Sequence, residues 1–104
     1  MASDNTQLSA LGDATRRRVF ELIAERPRNV AEITPLVPVS QSAVSQHLKV
    51  LRNARLVRAV PQGASNVYHI DPHGLGQMRA WLDAYWDKTL AAYKAAVEKP
   101  GDMS

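Results

Sequence analysis

Apolar residues recur every three or four positions through the first half of the chain, and this spacing predicts helices. Val19, Leu22 and Ile23 mark one helix, which follows Asp13 as a capping residue and extends to about residue 25. A shorter helical segment, residues 6–11, precedes it and ends at Gly12. We therefore assign residues 6–25 to two N-terminal helices.

Two further helices are predicted over residues 29–54. Asn29 and Ser40 each stand before an apolar periodic run, and both side chain types cap helix N-termini. Pro35 falls inside the first of these helices, which should therefore be short or distorted, and Pro38 ends it. The segment predicts a helix–turn–helix whose second helix extends to about residue 54.

The pattern then changes to alternation, which is typical of strands. Residues 56–60 and 66–70 alternate on either side of a turn at residues 61–65, so residues 56–70 predict a β-hairpin. Asp71 and Pro72 begin a long helix, residues 72–98. The order α-α-α-α-β-β-α predicts a mainly α single domain over residues 1–104, with the winged helix-turn-helix plan.

Acidic residues are absent from a long central segment. The 38 residues 33–70 contain no Asp or Glu but hold Lys49, Arg52, Arg55 and Arg58. Residues 1–62 carry nine Lys and Arg against five Asp and Glu, whereas residues 63–104 carry four against five. A basic, acid-free segment suits a surface that meets phosphates, so we predict binding of double-stranded DNA.

The helix after Ser40 carries a small polar face, which we call the reading face: Ser42, Ser45, Gln46 and Lys49. At about 100° per residue these four lie opposite Val44, Leu48 and Leu51. Ser, Gln and Lys side chains can hydrogen-bond base edges and phosphates in a major groove, although a solvated polar face is the simpler alternative. The predicted DNA-binding residues are Ser40, Gln41, Ser42, Ser45, Gln46, Lys49, Arg52, Arg55, Arg58 and Arg16. We expect His47 to pack between helices.

The last helix has an apolar stripe longer than so small a domain can cover. Its residues recur at spacings of three and four, close to a heptad seam, which predicts a homodimer with the first helix alongside. The predicted interface residues are Leu8, Leu11, Leu75, Met78, Leu82, Tyr85, Trp86, Thr89 and Tyr93. Packing on the domain's own core accounts for part of the stripe, and a pocket for an organic effector is the open alternative.

The composition of the chain argues against several other classes of function. The chain has no cysteine, which excludes disulfides and thiolate metal sites. It has no Gly-rich phosphate loop and no His-Glu-x-x-His, so we predict no enzyme and no cofactor. No apolar run approaches the roughly 18 residues of a membrane span, and no signal-peptide pattern opens the chain, so we expect a cytoplasmic protein.

Three segments carry a resemblance to a known family: residues 11–18 (LGDATRRR), 39–51 (VSQSAVSQHLKVL) and 54–57 (ARLV). Together they resemble the ArsR/SmtB group of bacterial winged-helix repressors, over about residues 6–98. The resemblance implies a homodimer that binds a short inverted repeat and blocks transcription. It also implies base and phosphate contacts from residues 40–52 and backbone contacts from the hairpin wing.

The chain departs from that family at the metal sites and at the wing. Positions of the family's Cys-x-Cys pair are matched by Asn29 and Ala31. A second family site is matched by Asp71 and His73, but its later positions are Ala84 and Asp87, which leaves a Zn²⁺ ion short of ligands. Residues 81–87 resemble a metal-free branch. The wing tip, residues 62–66, is neutral where the family is often rich in Arg.

We therefore predict a DNA-binding repressor without a metal site. Two alternatives stay open. A winged helix can serve protein–protein contact, and a repressor can respond to metal through a site without cysteine. A salt-sensitive affinity for duplex DNA would distinguish the predicted repressor from a protein-contact module. A response of that affinity to Zn²⁺ would distinguish a metal-responsive repressor from the predicted one.

Overall fold

The computed structural model describes residues 6–98, and their order of elements is the predicted one. The elements are α1 (Thr6–Ala10), α2 (Ala14–Glu25), α3 (Val30–Ile33), α4 (Gln41–Asn53), β1 (Val57–Gln62), β2 (Ser65–Ile70) and α5 (Pro72–Val97). The prediction that Pro35 shortens the third helix is confirmed, since α3 has four residues and a 3₁₀ turn, Thr34–Leu36, takes up the proline.

The four predicted helix caps are confirmed. The side chains of Asp13, Ser40 and Asp71 accept hydrogen bonds from backbone N–H groups in the first turns of α2, α4 and α5. Asn29 forms a reciprocal capping box with Glu32 at the start of α3. Each cap satisfies an N–H group that the helix itself leaves unpaired, which is why these boundaries can be read locally.

The hydrophobic core lies between α2, α3, α4 and the start of β1. Its buried apolar side chains are Ala10, Val19, Leu22, Ile23, Ile33, Val37, Val44, Leu48, Leu51, Ala54, Leu56 and Val57. Burial of each of the larger ones stabilises the fold by about 1.5–3 kcal/mol. Because Val44, Leu48 and Leu51 all point into this core, the opposite side of α4 is turned to solvent.

The strands of the hairpin are longer and its turn is tighter than the sequence predicts. The strands pair antiparallel from Val57 with Ile70 to Gln62 with Ser65, so the predicted five-residue turn was wrong in its extent. Gly63 begins a two-residue turn and has the positive φ, 62°, that such turns require. Pro61 is tolerated within β1 because both strands of a two-stranded sheet are edge strands.

Arg28 fastens the hairpin to the helical body. Its backbone N–H and carbonyl both bond to Tyr68 of β2, at 3.2 and 2.8 Å. Its buried guanidinium donates to the carbonyl of Leu22 (2.8 Å) and to the carboxylate of Glu25 (3.0 Å). The wing therefore has a fixed position relative to α2 and α4.

The long helix α5 packs on the body only at its beginning. Gly74 is buried against the turn that follows α4, and Gln7 of α1 donates to the carbonyl of Ala54 and to Gln77 of α5. The remaining turns project away from the core, and the Cα radius of gyration is 18.9 Å. A closely packed domain of 100 residues would have about 13 Å.

Candidate nucleic-acid interface

The reading face of α4 is fully turned to solvent. Ser42, Ser45, Gln46 and Lys49 are all exposed, as are Gln41 and Arg52 beside them. The caps at Ser40 and the core contacts of Val44, Leu48 and Leu51 fix the helix and its rotation. The structure thus brings together, on one exposed surface, the α4 residues that the sequence proposes for DNA contact.

The cations of this surface carry uncompensated charge. Within residues 6–98, every ion pair is made by Arg18, Arg26, Arg28 or Arg79. Lys49 and Arg52 lie outside these pairs, and so do Arg55 and Arg58. Exposed cations without carboxylate neighbours are the groups that release counterions when they meet phosphate.

Ser40, Arg55 and Arg58 occupy the edges of the surface. The Oγ atom of Ser40 accepts a hydrogen bond from the N–H of Ala43 at 3.1 Å, so its side chain already caps the helix. Arg55 is exposed directly after α4 and has a left-handed backbone, with φ 61°. Arg58 is exposed on β1, opposite His69. Their contact with DNA stays a prediction.

Arg16 lies apart from these residues and is held within the protein. Its Nε donates to the carbonyl of Ala10, and its Nη1 lies 3.4 Å from Nδ1 of His47. Both side chains are half-buried where α2 crosses α4. His47 therefore packs between helices as expected. These contacts join Arg16 to α1 and α4, which gives it a structural role. Its contact with a phosphate stays a prediction.

A hollow of about 420 Å³ lies between α4 and β2, and we call it the wing-base hollow. Ser45, Lys49, Arg52, Asn53 and Tyr68 line it. Sequence reasoning missed the last two. Asn53 continues the exposed side of α4 one turn beyond Lys49, which its helical spacing could have shown. Tyr68 comes from the hairpin, and only the folded structure places it beside the helix.

The far part of α5 presents the predicted apolar stripe to solvent. Trp86 is 61% exposed and Tyr93 67%. Leu82, Tyr85 and Leu8 are exposed as well, whereas Leu11, Leu75 and Met78 are half-buried. Two members were missed by the prediction. Leu90 and Val97 are 45% and 56% exposed and continue the stripe at helical spacing.

Two carboxylates at helix N-termini, Asp13 of α2 and Glu32 of α3, have depressed pKa values for the same reason. The backbone N–H of Arg16 bonds to Asp13 and lowers the pKa of that carboxyl below its ordinary value of 3.8. The N–H of Asn29 does the same for Glu32. Neither group lies in an acid–base arrangement with a nucleophile, and both belong to helix caps.

No three His, Cys, Asp or Glu side chains among residues 6–98 are grouped so that they could hold a metal ion. Asp71 instead accepts from the N–H of His73 at 2.9 Å, as a helix cap. None of the helices in this range combines the length and hydropathy that crossing a bilayer requires.

Comparison with known proteins agrees with this geometry. Residues 13–59 match the family described as "Bacterial regulatory protein, arsR family". The chain is 46% identical over 93 residues to the HTH-type transcriptional regulator Rv2034 of Mycobacterium tuberculosis, covering 89% of this chain and 87% of that protein. It is 39% identical over 76 residues to the transcriptional repressor SmtB homolog of Synechocystis sp., covering 72% and 58%.

The fold is shared as well. The structure of an ArsR-like transcriptional regulator from Rhodococcus sp. RHA1 superposes with a TM-score of 0.76 at 28% identity, covering 94% of this chain and 95% of that one. The chain belongs to the ArsR family of winged helix-turn-helix proteins, which are DNA-binding transcriptional regulators and not enzymes.

Proposed function

We propose that the protein is a homodimeric repressor that binds an inverted-repeat operator, each protomer placing α4 in a major groove. The observation that carries this proposal is the exposed reading face of α4. Its Lys49 and the neighbouring Arg52 have no carboxylate partner among residues 6–98. The serines of this face are small and allow close approach to the groove floor, where Gln46 can hydrogen-bond a base edge.

The exposed stripe on α5 supports the dimer. The helix has 26 residues, about 39 Å at 1.5 Å per residue, and only its first turns pack on the body. Apolar side chains at helical spacing and more than half exposed, such as Trp86 and Tyr93, mark an interaction surface. A second copy of α5 offers a matching stripe. Two α4 helices would then meet half-sites about 34 Å apart.

Repression follows from this mode of binding, since a dimer seated across a promoter blocks access of the transcription machinery. We propose that the protein does so without a thiolate metal sensor, because it has no cysteine. The similarity to the repressor of Synechocystis supports the direction of regulation.

Fluorescence anisotropy tests the proposal. The purified protein is titrated onto the intergenic DNA upstream of its own gene and onto a scrambled duplex, at two salt concentrations, with and without Zn²⁺. We expect tighter binding to the upstream DNA, an affinity that falls steeply with salt, and no response to Zn²⁺. Equal, salt-independent binding to both duplexes would favour a protein-interaction module, and a change with Zn²⁺ would favour a metal-responsive repressor.

A further inference from the structure

We propose that the wing-base hollow is a binding site for one backbone phosphate of the DNA, in which Tyr68 and Asn53 act with Lys49 and Arg52. The inference rests on the proposed function and adds to it a contact from the hairpin. It places that contact at the base of the wing, whereas the winged-helix plan alone would place it at the tip.

The lining of the hollow fits an anion. Its five residues are all polar, and its two charged side chains are both cations outside any ion pair within residues 6–98. Ser45 and Asn53 add a hydroxyl and an amide donor. A phosphate entering from the exposed side would therefore meet two positive charges and several neutral donors, the combination that positions DNA-binding proteins on the duplex.

Tyr68 is the rigid member of the site. Its backbone is held in β2 by pairing with Ala59 and by two hydrogen bonds to Arg28, and its ring packs against the hydrophobic core. Its hydroxyl makes no hydrogen bond to any residue between 6 and 98. A donor fixed in advance gives up little conformational freedom when it binds, unlike the flexible side chains of Lys49 and Arg52.

The tip of the wing has no Lys or Arg side chain that could bind a phosphate. No Lys or Arg occurs between Arg58 and Arg79, so the hairpin beyond Arg58 contains neither of these cations. The turn at Gly63 and Ala64 and the exposed residues beside it are neutral. Beyond Arg58, the contribution of the hairpin to DNA affinity is therefore assigned to Tyr68, which lines the hollow from β2.

Tyr68→Phe is the first test. It keeps the ring and its core packing and removes only the hydroxyl, and a thermal melt checks that the fold is unchanged. We expect about tenfold weaker binding to the upstream and scrambled duplexes alike, because a phosphate contact carries no sequence information. The salt slope should stay unchanged, since a neutral donor releases no counterion. Wild-type affinity in this variant would overturn the proposal.

Two isosteric substitutions form a matched pair that does not depend on Tyr68. Asn53→Asp puts a negative charge into the hollow, and Asn66→Asp makes the same change on the hairpin next to its tip. Both positions are exposed. We expect Asn53→Asp to weaken binding at least about tenfold and Asn66→Asp less than about twofold. An Asn66→Asp loss as large as that of Asn53→Asp would assign the contact to the tip instead.

The wild-type titration separates this inference from the proposed function. If the wild-type protein shows no salt-dependent binding to either duplex, the proposed function itself fails. If the wild-type protein binds as expected while Tyr68→Phe binds equally well with the same salt slope, only the phosphate site fails.

Discussion

The backbone of Gly74 lies directly against the carbonyl group of Arg55. Its N–H donates to that carbonyl at 2.8 Å, and a Cβ atom at position 74 would lie 2.6 Å from the carbonyl carbon. Arg55 presents the carbonyl because its left-handed backbone, φ 61°, turns the chain from α4 into β1. The start of α5 is thereby fixed to the end of α4.

Gly74→Ala should destabilise the protein strongly. The added methyl group meets backbone atoms that cannot rotate away, so α5 must shift, and overpacking of this kind costs about 1–3 kcal/mol or more. Gly76→Ala is the matched control, because a Cβ atom there meets nothing within 4 Å. It should stabilise the helix by about 0.5–1 kcal/mol. Denaturant unfolding of both variants measures the difference, and equal stabilities would contradict the packing described here.

The proposed dimer predicts the effect of charges on the α5 stripe. Leu82→Asp combined with Tyr85→Asp places two carboxylates among apolar side chains that the partner would cover, and burying unpaired charge is costly. The variant should sediment as a monomer. Ala80→Asp with Ala84→Asp, on the opposite exposed side of α5, should leave the dimer intact. A double Leu82/Tyr85 variant that still sediments as a dimer would move the interface elsewhere.

The cap at Asp13 predicts an acid-sensitive share of stability. Because the N–H of Arg16 holds the pKa of this carboxyl below 3.8 in the folded state, its stabilising effect is complete above its unfolded pKa. The effect is lost as pH falls through the lower, folded pKa. Asp13→Asn caps the helix but does not titrate, so its melting temperature should fall less than that of the wild type between pH 7 and pH 3. Parallel curves for the two proteins would refute the assignment.

Local signals predicted much of this fold. The caps at Asp13, Asn29, Ser40 and Asp71 each depend on a side chain and an N–H two or three residues away, so the sequence contains all the necessary information. The reading face of α4 follows from helical spacing alone. The extent of the hairpin turn was misjudged because Pro61 favours turns locally but is also accepted in an edge strand.

Contacts between distant segments could not be predicted in this way. The sequence around Arg28 indicates only a helix end, yet the residue joins Tyr68, forty positions further on. Gln7 looks like a surface residue of a short helix, but it is buried and bonded to Ala54 and Gln77. The wing-base hollow is of the same kind, since it exists only where β2 meets α4.

DNA binding by the reading face of α4 can be tested with the paired variants Lys49→Ala and Gln46→Ala. Anisotropy titrations on the upstream and scrambled duplexes, over a range of salt, give affinity and salt slope together. Lys49→Ala should weaken binding to both duplexes and reduce the salt slope by about one unit, while Gln46→Ala should reduce only the preference for the upstream duplex. Wild-type affinity, slope and preference in both variants would show that DNA binds elsewhere.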